Sequence, residues 1–497
     1  MIPSPSVAVS PPQAQSQPAK GRSILVPVVL ACIAAWLPYI RPLIAPAVII
    51  DDYEILAQSR TWQRTLDGMW IPQNEHIMPL GRLLTFILEQ LVGRLTLLPE
   101  TVTLIGPVGL LIAMLLVYVF VRRELGHPLY GLLALVLFGV STVYHQAVYW
   151  FAASFSMLAL DTMLLGLLAV QRWRQTARGR YLVLAALACF LAPGWFAIGI
   201  LGGPLCCLYL LVLSKRERVS YRSWLLPALT PMLGTVLFLA VSLPISGQRI
   251  MHLRHYEGLT AVQSFRPLDG LIATMRSVVD NLLFGVVGCW KIEIPQPYVY
   301  LLFALAAVLA AWWLWQAPRR RLMVLGLGLI GSSYWLIYSA RSNWGYENMM
   351  TLPVWSRYHL LPYLGLTLFF CGGLSGRPNW FCLNADGTLT RRQQRAMCLL
   401  IVVCLLIHLP RGLGWADTAG SEQFEAHDEQ QAQLRRIEEM DARCREYHIS
   451  ADAAREVLPR FTLTWSADVI NGWEFLRGSD DPRPQPPEEV KRLLETP

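Results

Sequence analysis

Apolar residues in this chain gather into long runs separated by short polar connections. The first run covers residues 24–40. Later ones fall at roughly 101–121, 129–145, 152–170, 181–192, 197–213, 223–245, 297–316, 322–339, 358–373 and 396–409. A bilayer-spanning helix needs about 20 mainly apolar residues, fewer where helices are short or broken. The pattern therefore predicts an all-α polytopic membrane protein with about eleven transmembrane helices. Residues 181–213, interrupted by "LAPGWFAIG", read either as one kinked span or as a hairpin. Charge selects the hairpin, because "QRWRQTARGR" before it and "SKRERVSYR" after it are both strongly basic and belong on the cytoplasmic side.

Two polar connections carry a helical period of their own. In "PLGRLLTFILEQLVGRLTLL" the residues Leu80, Leu83, Leu84, Ile87, Leu88, Leu91 and Val92 share one face, with Arg82, Glu89 and Gln90 elsewhere. In "RPLDGLIATMRSVVDNLLFG" the same holds for Leu268, Leu271, Ile272, Met275, Val278, Val279 and Leu282. Such amphipathic juxtamembrane helices lie along the interface or pack back on the bundle.

Three regions follow. Residues 1–23, rich in Pro, Ser and Gln, read as a disordered cytoplasmic tail. Residues 24–410 form the membrane body, and residues 411–497 a small polar extracytoplasmic region with too few apolar residues for a core of its own. The run 24–40 resembles a signal peptide in part, but its length and long leader favour an uncleaved span.

Composition agrees with this picture: 54% of the 497 residues are hydrophobic and 15% charged, which excludes a disordered or ordinary soluble protein. The net charge of +8 does not signal nucleic acid. Residues 411–497 hold 18 acidic and 11 basic groups, leaving 31 basic and 16 acidic groups elsewhere. Connections assigned to the cytoplasmic side hold 19 Lys and Arg against three acids, and those assigned outside hold 12 against 12. That asymmetry predicts a cytoplasmic N-terminus and an extracytoplasmic C-terminus. Only four of the 42 basic residues are Lys, a bias associated with GC-rich bacterial genomes, which suggests a bacterial inner membrane. The ten Cys contain no CxxC pair; Cys289 and Cys444 fall in outer regions where they could pair.

The chemistry-bearing residues concentrate in two outer loops. Asp51 and Asp52 in "IIDDYEIL" follow the first span, and Asp51 with Glu54 fits a capping box for a helix starting at Asp52. Adjacent side chains on a helix diverge by about 100°, so one of the pair faces a site and the other caps, pairs or binds a metal. Further along, "NEHIMPLGR" offers Asn74, Glu75 and His76 as steering or metal-binding groups, or as plain solvated loop residues. His145, Tyr149 and Trp150 in "YHQAVYWFAAS" border a neighbouring outer loop, where an interfacial aromatic belt accounts for the two rings. Asp161 lies mid-span, where an ionised group is costly and should face a polar cavity or a partner. The late loop "SARSNWGYENMMTLPVWSRYHLLPYLGL" holds Arg341 and Arg357 beside Glu347, Asn348, Tyr358 and His359. An Arg fork suits phosphate oxygens and stays charged when partly buried.

A carboxylate after the first span and an Arg before a late span suit group transfer from a lipid phosphate. The carboxylate takes the proton of an acceptor hydroxyl, and a cation holds the leaving phosphate, which needs no general acid.

These features resemble the GT-C superfamily of integral-membrane glycosyltransferases, including protein O-mannosyltransferases and lipid A aminoarabinose transferases. The resemblance covers about residues 24–410 and rests on "IIDDYEIL", "NEHIMPLGRL" and "SRYHLLPYLGL". It implies a polyprenyl-phosphate sugar donor, an extracytoplasmic glycan, lipid or protein acceptor, and inversion at the sugar. It also implies a first-loop Asp as base, with Asp51 ahead of Asp52, and Arg357 as the phosphate contact. This chain has "DD" where the two named families typically have Asp-Glu. Family members differ in their need for a divalent metal (Mg or Mn). The alternative function is a transporter or flippase of lipid-linked glycan, but such proteins show internal repeats and none is visible here. A catalytically silent scaffold is a third reading, disfavoured by the intact acidic pair.

Overall fold

The structure, a computed structural model, describes residues 24–44, 46, 48, 50–72, 76–212, 221–256, 267–284, 294–317, 320–340, 356–375, 388–457, 462–465, 468–471, 479 and 481–495. Every apolar run contains a helix. Helix α1 (Leu25–Trp36) continues through a 3₁₀ turn into Ile40–Ile44. The first loop then holds α2 (Ile50–Gln58), α3 (Trp62–Gly68) and α4 (Pro79–Val92). The bundle follows as α5 (Ile105–Leu125), α6 (Pro128–Gly139), α7 (Phe151–Thr176), α8 (Arg180–Trp195), α9 (Gly202–Leu211) and α10 (Tyr221–Tyr256). After α11 (Pro267–Ser277) come α12 (Gln296–Gln316), α13 (Arg320–Ala340), α14 (Leu360–Leu374) and α15 (Arg391–Glu446). The chain ends with α16 (Ala451–Val457), an antiparallel hairpin of β1 (Thr462–Trp465) and β2 (Asp468–Asn471), and α17 (Pro487–Glu495).

Among the described residues seven helical segments are long and apolar enough to cross a bilayer, and α6, α8 and the segment Ala197–Leu211 are shorter apolar helices. The protein is an all-α polytopic membrane protein. The 181–213 stretch is a helical hairpin. Phe196 is extended (φ −159°, ψ 145°) between α8 and a 3₁₀ turn leading into α9, and the buried sulfurs of Cys189 and Cys206 meet at 3.9 Å. The run 129–145 is helical only to Gly139; its last residues form the loop that carries His145.

Helix α7 is the axis of the molecule, with 78% of its most apolar window buried, whereas α12 has 6% and meets its surroundings almost all round. The main core packs α5, α6 and α7 with α8, α9 and α14. Gly326 and Gly365 let α13 and α14 cross closely: a Cβ on Gly365 would lie 2.5 Å from the Gly326 carbonyl oxygen. At the end of the bundle holding the basic connections, Glu124 accepts from Tyr209 (2.5 Å) and pairs with Arg321 (3.4 Å) and Arg174 (3.7 Å), joining four helix ends.

Both amphipathic helices turn their polar or small side inward. On α4, Gly81, Arg82, Thr85 and Glu89 are buried, while Ile87 and Leu91 are 43% and 77% exposed. On α11, Ala273, Thr274 and Ser277 are buried while Leu268 and Leu271 are exposed. A helix at a bilayer surface meets an apolar environment outside, so its apolar face belongs there and its polar face must find partners within. Those partners are present. Glu89 pairs with Arg60 at 3.3 Å, and Arg82 donates to the Gln58 side chain and to the Ile71 carbonyl (3.4 Å). Burial pushes the Arg82 guanidinium down to about 10, with Glu54 opposing the shift.

The C-terminal region shares its core with the first loop. Leu434, Ile437, Cys444, Ile449, Ala454, Val490 and Leu494 pack in one cluster with Val48, Tyr53, Leu56, Leu95, Leu98 and Phe155. Helix α15 runs 56 residues, straight through position 410. The Cys444 thiol is free and buried, which pushes it up to about 11; Cys289 lies outside the described residues.

Candidate functional site

The acidic pair sits on α2. This helix begins at Ile50 rather than Asp52, which places Asp51 in its first turn instead of at the expected N-cap. Asp52 is 1% exposed, and its Oδ1 accepts from the Ala152 amide at 2.7 Å. Ala152 is the second residue of α7, whose N-cap, Trp150, provides no side-chain cap. Asp52 therefore caps the central helix from a distance of 100 residues along the chain. It satisfies one of the amides a helix start leaves over and sets a negative charge against the dipole of a 26-residue helix. Glu54 accepts instead from Gln58 at 2.9 Å, feeding the polar string to Arg82.

Arg357 reaches the same end of α7 from the other side. It lies in a 3₁₀ turn, Ser356–His359, that leads into α14. Its guanidinium stands 4.2 Å from the Trp150 ring centroid and 5.1 Å from that of Tyr358, and its Nη2 donates to the Tyr358 hydroxyl at 3.3 Å. The turn is pinned to Gln146 through both its main chain and its side chain: the Gln146 backbone amide donates to Ser356 Oγ (3.0 Å), and Gln146 Oε1 accepts from the Arg357 backbone amide (3.4 Å). Stacking on aromatic rings holds a guanidinium in place without neutralising its charge.

Arg357, Tyr358 and His76 line a cavity of about 230 Å³ whose other walls include Ala153, Ser156, Phe196, Ile198, Leu336 and Leu361. The His76 and Phe196 rings are 4.0 Å apart. A cation in a mostly apolar lining suits an amphiphile with an anionic head. Asp52 is absent from this lining; it reaches α7 one residue before Ala153, which is part of it.

The other sequence candidates divide. His145 is buried, bonds the Thr142 carbonyl through Nδ1 (2.8 Å) and stacks on Tyr149, away from the cavity. His359 is buried and turned into the bundle, its Nδ1 2.7 Å from the Tyr334 hydroxyl. Asp161 is buried in the middle of α7. It is 6% exposed, 3.6 Å from where a Cβ on Gly109 would be, and its oxygens have no hydrogen-bond partner among the described residues; nothing in the structure explains it. Asn74, Glu75, Arg341, Glu347 and Asn348 lie outside the described residues. Among the described residues no group of three or more His, Cys, Asp or Glu is placed to hold a metal ion. Trp150 and Phe196 escaped the sequence reading as site residues, since an aromatic at a membrane interface is ordinary.

No family model and no curated protein matches this chain. Among solved structures it is similar to an Archaeoglobus fulgidus oligosaccharyltransferase in the apo form. That match has 16% identity and a TM-score of 0.43, covering 80% of this chain and 56% of that one. It is also similar to the oligosaccharyltransferase AglB from the same archaeon, in complex with an inhibitory peptide and a dolichol-phosphate. Here the identity is 14% and the TM-score 0.37, covering 79% of this chain and 55% of that one. The chain thus spans little more than half the length of either, and likeness at these scores carries no functional weight.

Proposed function

We propose that this chain is a membrane glycosyltransferase of the GT-C type that moves a sugar from a polyprenyl-phosphate-linked donor to an extracytoplasmic acceptor. The observation that carries the reading is Arg357, stacked on Trp150 at an apolar-walled cavity beside the helix start that the acidic loop holds. The sequence resemblance, which includes "SRYHLLPYLGL" around Arg357, supports the same reading. In this mechanism Arg357 binds the donor phosphate and the apolar wall receives the first part of the lipid. The base removes the proton of the acceptor hydroxyl, whose oxygen forms the new bond at the anomeric carbon. The bond to the phosphate oxygen breaks on the opposite face, the electron pair leaves with the phosphate, and configuration inverts. Because Asp52 is committed to Ala152, Asp51 is the proposed base.

The test is sugar transfer in membranes from labelled polyprenyl-phosphate sugars, comparing Asp51→Asn, Arg357→Ala and the unaltered protein. Loss of about 10²-fold or more in each variant is expected. Full activity of both Asp51→Asn and Asp52→Asn would remove the proposed base. Movement of the lipid-linked glycan across the bilayer without a transfer product would establish the transporter alternative.

A further inference from the structure

The first-loop segment leading into the acidic pair is gripped by a helix from the far end of the chain. Gln430 of α15 is 2% exposed and pairs with the Val48 backbone in both directions: its Oε1 accepts from the Val48 amide (3.0 Å), and its Nε2 donates to the Val48 carbonyl (3.0 Å). One turn earlier, His427 Nδ1 lies 2.7 Å from the Pro46 carbonyl oxygen. A primary amide that accepts from the N–H and donates to the C=O of one residue imitates one rung of a β-ladder, which among side chains uncharged at pH 7 only Gln and Asn do in this way. Asn is one methylene shorter. The adjacent Gln431 and Glu438 grip Thr96 instead: Gln431 donates to its carbonyl (3.0 Å) and Glu438 accepts from its amide (3.1 Å). The helix thus ties together the two ends of the first loop.

We infer that Gln430, supported by His427, is a positioning residue: it fixes the backbone of Pro46 and Val48 and thereby sets where the first turn of α2, which carries Asp51 and Asp52, meets the start of α7. A polar C-terminal region without its own core, sharing one cluster with the first loop, acquires a purpose on this view. The coupling runs from α15 to Val48, through α2 to Asp52, and from Asp52 to the Ala152 amide. Its consequence for transfer rests on the proposed function; its structural part does not.

The experiment uses the full chain in nanodiscs and reads amide hydrogen exchange of residues 48–58, alongside sugar transfer. Gln430→Ala should speed exchange at Val48 and the first turn of α2 about tenfold, the scale of losing one or two buried hydrogen bonds. Gln430→Glu separates positioning from general damage. Ionised, it accepts from the Val48 amide but repels the carbonyl; protonated, it supplies a donor and an acceptor as the amide does. Burial raises a Glu pKa at such a site, so the variant should exchange like Gln430→Ala at about pH 8. By about pH 5 it should return to within about threefold of the unaltered protein measured at the same pH. Transfer should follow the same acid rescue, with the loss in kcat rather than in donor KM. Gln431→Ala should leave Val48 exchange unchanged. Unaltered exchange in Gln430→Ala, or no acid rescue in Gln430→Glu, overturns the clamp. Altered exchange with normal transfer overturns its positioning role. Absence of transfer in the unaltered protein overturns the proposed function and leaves the clamp to stand on exchange.

Discussion

Asp52 and Asp51 are neighbours in sequence with different assigned duties, and two substitutions at one position separate them. Asp52→Ala removes a buried, charge-assisted hydrogen bond of 2.7 Å to the Ala152 amide. Bonds of that kind contribute about 1.5–3 kcal/mol, and the carboxylate's interaction with the α7 dipole adds up to about 2 kcal/mol where partly buried. The two overlap, so a loss of about 3 kcal/mol is expected, with the buried amide left unpaired. Asp52→Asn keeps an acceptor oxygen in place, and Asn is as good a cap as Asp; it should lose about 1 kcal/mol, the charge component alone. Unfolding in mixed micelles followed by circular dichroism gives the stabilities, and transfer in membranes gives the rates. Asp52→Asn should transfer within about tenfold of the unaltered protein, whereas Asp51→Asn loses about 10²–10⁴-fold, the usual contribution of a general base. A folded Asp52→Asn protein as inactive as Asp51→Asn would refute the assignment and make Asp52 the base. Equal stability of Asp52→Ala and the unaltered protein would refute the cap.

Two further outcomes follow from the polar contacts outside the cavity. The Arg60–Glu89 pair is buried on both sides, so Arg60→Ala or Glu89→Ala alone should cost about 3–5 kcal/mol by stranding the other charge. Replacing both with apolar residues of similar volume should cost much less, as a double-mutant cycle on unfolding would show. His127, between α5 and α6, accepts through Nδ1 from the Leu129 amide (3.2 Å), and burial lowers its pKa below the usual histidine value. Its folded pKa lies below its unfolded one, so the unfolded chain binds the proton first and stability falls as pH drops through about 6.5 and below. His127→Asn, which caps without titrating, should flatten that part of the pH–stability curve, and an unchanged slope would show that other groups set it.

The hydrophobic pattern alone located every bundle helix, because a run of apolar residues long enough to cross a bilayer has few other stable fates. The basic flanks of 181–213 settled a hairpin that Pro193 and Gly194 left ambiguous, and Phe196 turns the chain there. The two amphipathic helices were legible as helices, but not which face points inward. Hydropathy reports a contrast between two faces, and only the surroundings decide whether the outside is water or lipid. The site divides the same way. Arg357 stood out because an Arg on an outer membrane surface needs something to hold it, yet nothing local revealed that Trp150 is what it stacks on, more than 200 residues earlier in the chain. The acidic pair was visible as "DD", but its division of labour was not. Whether Asp52 is free or capping depends on the Ala152 amide, and whether α2 is held depends on Gln430, residues about 100 and 380 positions away. Local spacing fixes helices because their hydrogen bonds close within four residues. Partners of buried charges and amides come from wherever packing brings them, and only the tertiary structure decides that.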